Sequence, residues 1–147
     1  MSYSNTQTAS WMIMISVLGV IGLVVGFGLR DDLGAGFWWF QAAMLLLIVV
    51  GMIAARLTVS VADGSVTAWF GWGWPRRQIE LDEIDQATIV RNSWWYGWGL
   101  RKVHRGWMYN NGGRDAVELT MRSGKVFRIG TDQPAELLAA LDPAHTA

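Results

Sequence analysis

Two apolar stretches, WMIMISVLGVIGLVVGFGL at residues 11–29 and FWWFQAAMLLLIVVGMIAA at residues 37–55, decide the fold of this chain. Each contains one polar side chain, Ser16 in the first and Gln41 in the second, and neither contains an ionisable residue. At a helical rise of about 1.5 Å per residue, each stretch extends over roughly 28 Å, close to the hydrocarbon thickness of a bilayer. The loop at residues 30–36 is too short for a domain. The two stretches therefore predict a transmembrane hairpin.

The distribution of lysine and arginine around the hairpin predicts its orientation. Residues 1–10, which we expect to be an N-terminal tail, contain neither residue type, and the loop sets Arg30 against two aspartates. Arg56, Arg76 and Arg77 follow the second stretch. Because cytoplasmic segments carry the excess of basic residues, this bias favours a two-pass protein with both termini in the cytoplasm.

The two helices are predicted to be an anchor, since ionisable residues within a span usually mark an ion or proton pathway. Small residues spaced four apart, Gly22 with Gly26 and Gly51 with Ala55, permit close approach of helix backbones. Packing of the two helices against each other is favoured for these four residues. Dimerisation between chains is the alternative, and it would make the protein a homo-oligomer.

Beyond Arg56 the apolar period changes from helical to alternating, which predicts β-strands. We expect seven, at residues 57–61, 66–70, 77–81, 84–91, 105–109, 116–121 and 126–129, with a long connection at residues 92–104. An apolar stripe from Pro134 to Leu141 then predicts a C-terminal helix that ends near residue 142. The expected fold is a membrane-anchored α+β chain. Residues 57–142 form an antiparallel barrel or sandwich closed by that helix, and residues 143–147 form a tail.

Three short stretches resemble a known family. They are Gly97-Trp98-Gly99-Leu100-Arg101, Ala116-Val117-Glu118-Leu119 and Arg128-Ile129-Gly130-Thr131-Asp132. They are similar to stretches in small bacterial membrane proteins that carry two helices before a pleckstrin-homology-like (PH-like) domain. The resemblance implies a PH-like fold and a place in the bacterial inner membrane, but it implies neither an activity nor a ligand. The first predicted hairpin, residues 62–65, has no cation, so a phosphoinositide site is not carried over to it.

Little in the sequence favours an enzyme. The chain has no cysteine and two histidines, and no spacing matches a standard metal motif. An acidic group at Asp82, Glu83 and Asp85 is interpreted as a solvated turn. We therefore expect a non-catalytic protein without metal or cofactor. A formal net charge of zero gives no field that would favour nucleic acid.

The segment at residues 91–114 is the most unusual part of the chain, because it contains five cations, several tryptophans and no acidic residue. Cations among tryptophans suit an anionic membrane surface. Packed tryptophans with a solvated rim of cations explain the same pattern equally well. If the first interpretation holds, we expect this segment to recognise a lipid headgroup or a small ligand.

The short junction at Arg56–Leu57 predicts which loops meet the bilayer. If the first strand leaves the membrane, successive turns alternate between a far and a near position, and aromatic and basic residues fall at the near one. The predicted lipid interface consists of Trp72, Trp74, Arg76, Arg77, Trp94, Trp95, Trp98, Arg101, Lys102 and Arg105. The leading hypothesis is a domain that lies on the cytoplasmic leaflet, contacts anionic lipids there and presents its acidic far surface to an unknown protein partner.

Overall fold

A computed structural model describes residues 2–93, 95, 97 and 99–141. The chain divides into two compact units. One comprises residues 9–55, and the other combines residues 2–8 with the part of the chain that follows residue 55. The predicted helix end near residue 142 and the tail at residues 143–147 lie outside the described residues.

The first unit is a pair of long apolar helices, as predicted. Helix α1 spans Ser10–Gly28 and α3 spans Phe37–Ala54. A short helix, α2 at Arg30–Leu33, and a 3-10 turn at Gly34–Gly36 connect them. Both long helices have the length and hydropathy to cross a membrane, and only 11% of each apolar window is buried. Apolar side chains therefore cover their outer surfaces, unlike the core helices of a water-soluble protein.

Glycines allow the two helices to pack closely. A Cβ added at Gly22 would lie 2.4 Å from Sδ of Met44, and one at Gly51 would lie 2.3 Å from Oγ of Ser16. Gly26 lies against the ring of Phe40 in the same way. These glycines thus face the other helix of the same chain.

The second unit begins with a four-stranded antiparallel sheet, β1-β2-β3-β4. Its strands are β1 (Tyr3–Thr8), β2 (Arg56–Ala62), β3 (Ser65–Phe70) and β4 (Arg76–Glu80). The prediction of a tail at residues 1–10 is wrong for β1, which pairs with β2 along its whole length. Strand β1 is polar, so it shows no apolar alternation, and it is held by ladder hydrogen bonds and by side chains such as Gln7, whose Nε2 donates to the Gly130 carbonyl at 2.9 Å.

The second sheet has five strands in the order β5-β8-β9-β7-β6. They are β5 (Ile84–Arg91), β6 (Gly99–Val103), β7 (Gly106–Asn110), β8 (Asp115–Met121) and β9 (Val126–Gly130). The expectation of seven antiparallel strands is therefore corrected in two respects. Strand β6 lies inside the predicted 92–104 connection, and β7 pairs with β9 in parallel. Strands β7 and β9 are parallel because the strand between them in sequence, β8, pairs with the opposite edge of β9.

The core lies between the two sheets and under the C-terminal helix α4, Pro134–Leu141. Helix α4 packs on β5 and β8, with Leu137 and Leu141 buried. Aromatic contacts join the sheets, since the ring centroid of Tyr109 lies 5.3 Å from that of Phe70 and 5.1 Å from that of Phe127. Tyr109 and Phe127 of this cluster also line a cavity at the surface of the second unit.

Candidate functional site

A tryptophan loop, residues 71–75, connects β3 to β4. The amides of Gly73 and Trp74 donate to the Phe70 carbonyl at 3.0 and 3.1 Å, and the Phe70 amide donates to the Pro75 carbonyl at 3.1 Å. Gly73 has φ of +114°, a conformation that a side chain would strain. The loop backbone is thus closely hydrogen-bonded, while Trp72 and Trp74 remain 83% and 77% exposed.

This loop lies at the end of the first sheet where β1 ends and β2 begins, which we call the junction end. Thr8 pairs with Arg56 there, and the Gly71 amide donates to the Arg56 carbonyl at 2.9 Å. The opposite, far end holds the turn at residues 63–64, where the Gly64 carbonyl accepts from the Leu81 amide at 2.8 Å. In the first sheet, the turn at residues 71–75 therefore lies at the junction end and the turn at residues 63–64 at the far end.

A basic cavity of about 540 Å³ lies beside β4, β6, β7 and β9. Five of its lining side chains are cations, and none of the described residues that line it is acidic. The cations are Arg76, Arg77, Lys102, Arg105 and Lys125, and the other lining residues are Leu100, Gly106, Trp107, Tyr109, Met121, Val126 and Phe127.

Strand geometry decides which residues of the 99–110 hairpin reach this cavity. Side chains alternate between the two faces of a strand. On β6, Leu100 and Lys102 therefore line the cavity and Arg101 is not among its lining residues, while on β7 the lining aromatic side chains are Trp107 and Tyr109. The hairpin thus contributes both an apolar and a basic wall.

Gly106 is required where this hairpin meets β9. Its backbone approaches Val126 so closely that an added Cβ would lie 1.5 Å from the Val126 carbonyl oxygen. This contact is backbone to backbone, so no side-chain rotation can relieve it. Any larger residue at position 106 would force β7 away from β9 and change the shape of the cavity.

The cavity combines cations that form no ion pair within the described part of the chain with a floor of buried aromatic rings. Ion pairs in the described part of the chain, such as Arg128 with Glu118 at 2.5 Å, involve none of the five cavity cations. The guanidinium of Arg76 lies 6.0 Å from the ring centroid of Trp69. Burial raises the pKa of the Tyr109 phenol above its usual 10.0, and the charge of Arg77 partly opposes this shift. The cavity therefore offers several cationic hydrogen-bond donors without a carboxylate among its lining residues.

A second, smaller depression of about 460 Å³ adjoins the cavity. Arg77 and Lys125 line both, and the smaller one adds Asp82 and Glu83 at the far end of the first sheet. These carboxylates place negative charge beside one end of the basic cavity.

The residues predicted as one lipid interface are distributed over several places. Trp72 and Trp74 belong to the tryptophan loop, and four of the predicted cations line the basic cavity. Trp95 and Arg101 belong to neither, and Trp94 and Trp98 lie outside the described residues. Trp107 and Tyr109 belong to the basic, aromatic segment that the sequence singled out, and the antiparallel pairing of β6 with β7 sets them beside Lys102 and Leu100. Sequence reasoning missed Lys125, because the parallel pairing of β7 with β9 brings it to this segment.

Arg105 does not lie at the near position predicted for it, because β6 is an additional strand that reverses the direction of the chain before Arg105. The Arg105 carbonyl accepts from the Val126 amide at 3.1 Å, and the Glu83 carbonyl accepts from the Arg122 amide at 3.0 Å. The turns that contain Arg105 and Lys125 therefore lie towards the far end, near residues 81–83. Arg76, at the start of β4, is the cavity cation next to the tryptophan loop.

Comparison with known proteins finds no matching family model and no matching curated protein. Among the residues that the structure describes, no group of histidine, aspartate and glutamate side chains is arranged to hold a metal ion.

Proposed function

We propose that this chain is a non-catalytic, membrane-anchored protein whose β-domain docks on the lipid surface through the tryptophan loop. The observation that carries the proposal is the position of two exposed indoles at the junction end of the first sheet. In this proposal α1 and α3 span the bilayer and the tryptophan loop enters its headgroup region.

Covalent connectivity supports this position for the loop. The peptide bonds Thr8–Ala9 and Ala55–Arg56 join the domain to the helices, and both leave neighbouring strands at the junction end. Two closely spaced connections restrict the domain more than a single linker would. The tryptophan loop lies at the same end of the sheet as these two connections, which supports its docking if the helices span the bilayer.

The chemistry of the loop also suits the headgroup region. Indole combines an apolar ring with an N–H donor, which is why tryptophan is enriched at membrane interfaces. The two indoles remain exposed to water on a tightly hydrogen-bonded loop, so they contribute no burial to the stability of the fold. Arg76 directly after the loop adds attraction to anionic lipid of about 1 kcal/mol near such a surface.

The PH-like assignment and the bacterial inner membrane, with both termini in the cytoplasm, belong to the same proposal. Strands β1 to β4 followed by β5, β8 and β9 and by α4 are compatible with the strand order of a PH-like domain. In that alignment the apolar helices are inserted between the first two strands, and the hairpin of β6 and β7 is a second insertion. The far end, with Asp63, Asp82 and Glu83 exposed, is the surface left for a protein partner.

The homo-oligomer alternative loses part of its support, because Gly22 and Gly26 lie against the other helix of the same chain. Cross-linking of the full chain in native membranes tests that alternative separately.

Site-directed spin labels test the docking proposal. The chain has no cysteine, so Trp72→Cys and Glu83→Cys each give one labelled position in the full-length protein. In vesicles that contain anionic lipid, we expect the label at position 72 to be accessible to a lipid-soluble relaxation agent and shielded from an aqueous one. The label at position 83 is the matched control and should show the reverse. Equal accessibility at the two positions would overturn lipid docking.

A further inference from the structure

We infer that the basic cavity is a binding site for a small soluble molecule that carries a phosphate or diphosphate group. No residue of the tryptophan loop lines this cavity, although Arg76 follows the loop directly. The choice of a soluble ligand over a lipid headgroup rests on the proposed docking of the junction end. It assigns a ligand class to a cavity that the helices and the loop do not explain.

The charge of the cavity favours a polyanion. Five cations from β4, from β6, from the turn before β7 and from the turn before β9 converge on one space without forming ion pairs among the described residues. Bringing like charges together costs free energy that an anion would return. Arginine presents a planar fork of donors that matches phosphate oxygens, and lysine adds a mobile ammonium.

The shape of the cavity favours a small molecule with an organic part. Its volume of about 540 Å³ falls within the range typical of small-molecule sites, roughly 300–1,000 Å³. Leu100 and Trp107, at 46% and 51% exposure, provide apolar surface beside the cations. Tyr109 and Phe127 close the floor with buried rings. A phosphate group can contact the cations while an apolar or aromatic moiety lies against this wall.

The position of the cations favours a soluble source of phosphate over a lipid headgroup. Arg105 and Lys125 lie towards the far end, as the contacts of residues 105 and 122 show. A lipid headgroup at the junction end would meet Arg76 first and would not reach the cations of these two turns. Phosphate chemistry is common to both sources, so the experiment must separate them.

Calorimetric titration of the full chain in nanodiscs provides the test. In the first arm, the protein is in phosphatidylcholine nanodiscs and inorganic pyrophosphate is the titrant. In the second arm, nanodiscs that contain phosphatidic acid replace the soluble anion. Contact of lipid with the edge of the cavity is measured by quenching of a fluorophore attached at Ser123→Cys, in the adjoining depression. We expect pyrophosphate to bind in the first arm.

Neighbouring cations on β6 give a matched pair of variants. Lys102→Ala removes a cavity cation, and Arg101→Ala removes an equal charge from a residue that does not line the cavity. We expect Lys102→Ala to weaken pyrophosphate binding about tenfold, as the loss of one charged hydrogen bond implies, and Arg101→Ala to leave it within about twofold. Circular dichroism and thermal melting check that both variants fold like the parent, and Lys125→Ala provides a second test of the cavity.

The outcomes separate the sources and the alternatives. Pyrophosphate binding that depends on Lys102 and not on Arg101 supports the site with a soluble ligand. Lipid quenching with that same dependence, without pyrophosphate binding, supports phosphate recognition but from a headgroup. Equal effects of the two variants would identify nonspecific attraction and overturn the inference, as would the absence of binding in both arms. The spin-label result at position 72 is unaffected in every case, so failure here is distinct from failure of lipid docking.

Discussion

The tryptophan loop and the basic cavity differ in every physical respect, although the sequence suggests a single aromatic and basic interface. The loop is one continuous segment of five residues without charge, and its two indoles project from a hydrogen-bonded backbone. The cavity collects exposed cations from separate strands and turns around a floor of buried aromatic rings. Exposed indoles on a continuous loop suit adsorption to a surface, whereas cations gathered from several strands suit recognition of a discrete anion.

Gly106→Ala should separate the two regions most strongly. Because its Cβ would clash with the Val126 backbone, we expect a loss of about 3 kcal/mol in unfolding free energy, together with loss of pyrophosphate binding. The spin label at position 72 should stay in contact with lipid, since the loop is held by β3 and β4. Thermal melting and calorimetry measure the first two effects. Ser123→Ala, in an exposed turn, is the control and should melt like the parent.

Replacing both Trp72 and Trp74 with alanine should affect only the loop. If most of each indole enters the headgroup region, the double variant loses about 3 kcal/mol or more of favourable burial. Quenching of the protein's fluorescence by brominated lipid should fall, while the pyrophosphate affinity stays that of the parent. A fall in affinity without a change in quenching would assign the indoles to the cavity and contradict the distinction.

Salt should act on the two regions differently. Raising the ionic strength from about 0.1 M to about 1 M shortens the screening length from about 10 Å to about 3 Å, which weakens attraction between the cavity cations and an anion. Pyrophosphate affinity should therefore decrease with added salt, whereas the lipid accessibility of the label at position 72 should change little. A label that leaves the lipid at high salt would show that docking depends on charge rather than on the indoles.

Alkaline titration should report on the cavity floor. The pKa of Tyr109 is raised above 10.0 in the folded protein, so its neutral form contributes stability that is present below pH 10 and is lost as the pH rises through the folded pKa. Ultraviolet absorbance with Tyr109→Phe as the reference should place this transition above pH 10. Arg77→Ala should move it higher, because the arginine charge favours the phenolate; a downward shift would contradict the proximity of the two groups.

The smallest effect is expected from the carboxylates of the adjoining depression. Asp82→Asn removes negative charge near Arg77 and Lys125 and should strengthen pyrophosphate binding by about twofold, the size of a weak solvent-exposed charge interaction. Calorimetry at low salt measures this change. Asp63→Asn, an exposed carboxylate that lines neither the cavity nor the depression, should leave the affinity unchanged.

The apolar helices and most strands could be predicted from the sequence, because their hydrophobic period is strong and local. Strand β1 could not, since its polar residues are stabilised by pairing with β2 some fifty positions later in the chain. Strand β6 begins at Gly99 and has only two apolar side chains, Leu100 and Val103, so its five residues show no regular alternation.

The residue types of the site could be predicted, but their grouping could not. Arg76, Arg77, Lys102 and Arg105 are evident as cations near tryptophans. Their convergence with Lys125 depends on the parallel pairing of β7 with β9. These two strands are separated in the sequence by β8. Alternation along single strands predicts the face of a residue and does not predict which distant strand supplies its neighbour.

The pairing of β1 with β2 has a consequence for how the protein is made. Strand β1 is synthesised before β2, which emerges only after both apolar helices have left the ribosome, so the first sheet is completed across the entire helical hairpin. If the helices cross a bilayer, residues 8 and 56 can pair only when both ends of the hairpin are on one side of it. If only one of the two helices crossed the bilayer, β1 and β2 would lie on opposite sides of it and the edge of β2 would stay unpaired. Completion of this sheet therefore reports on correct insertion of both helices.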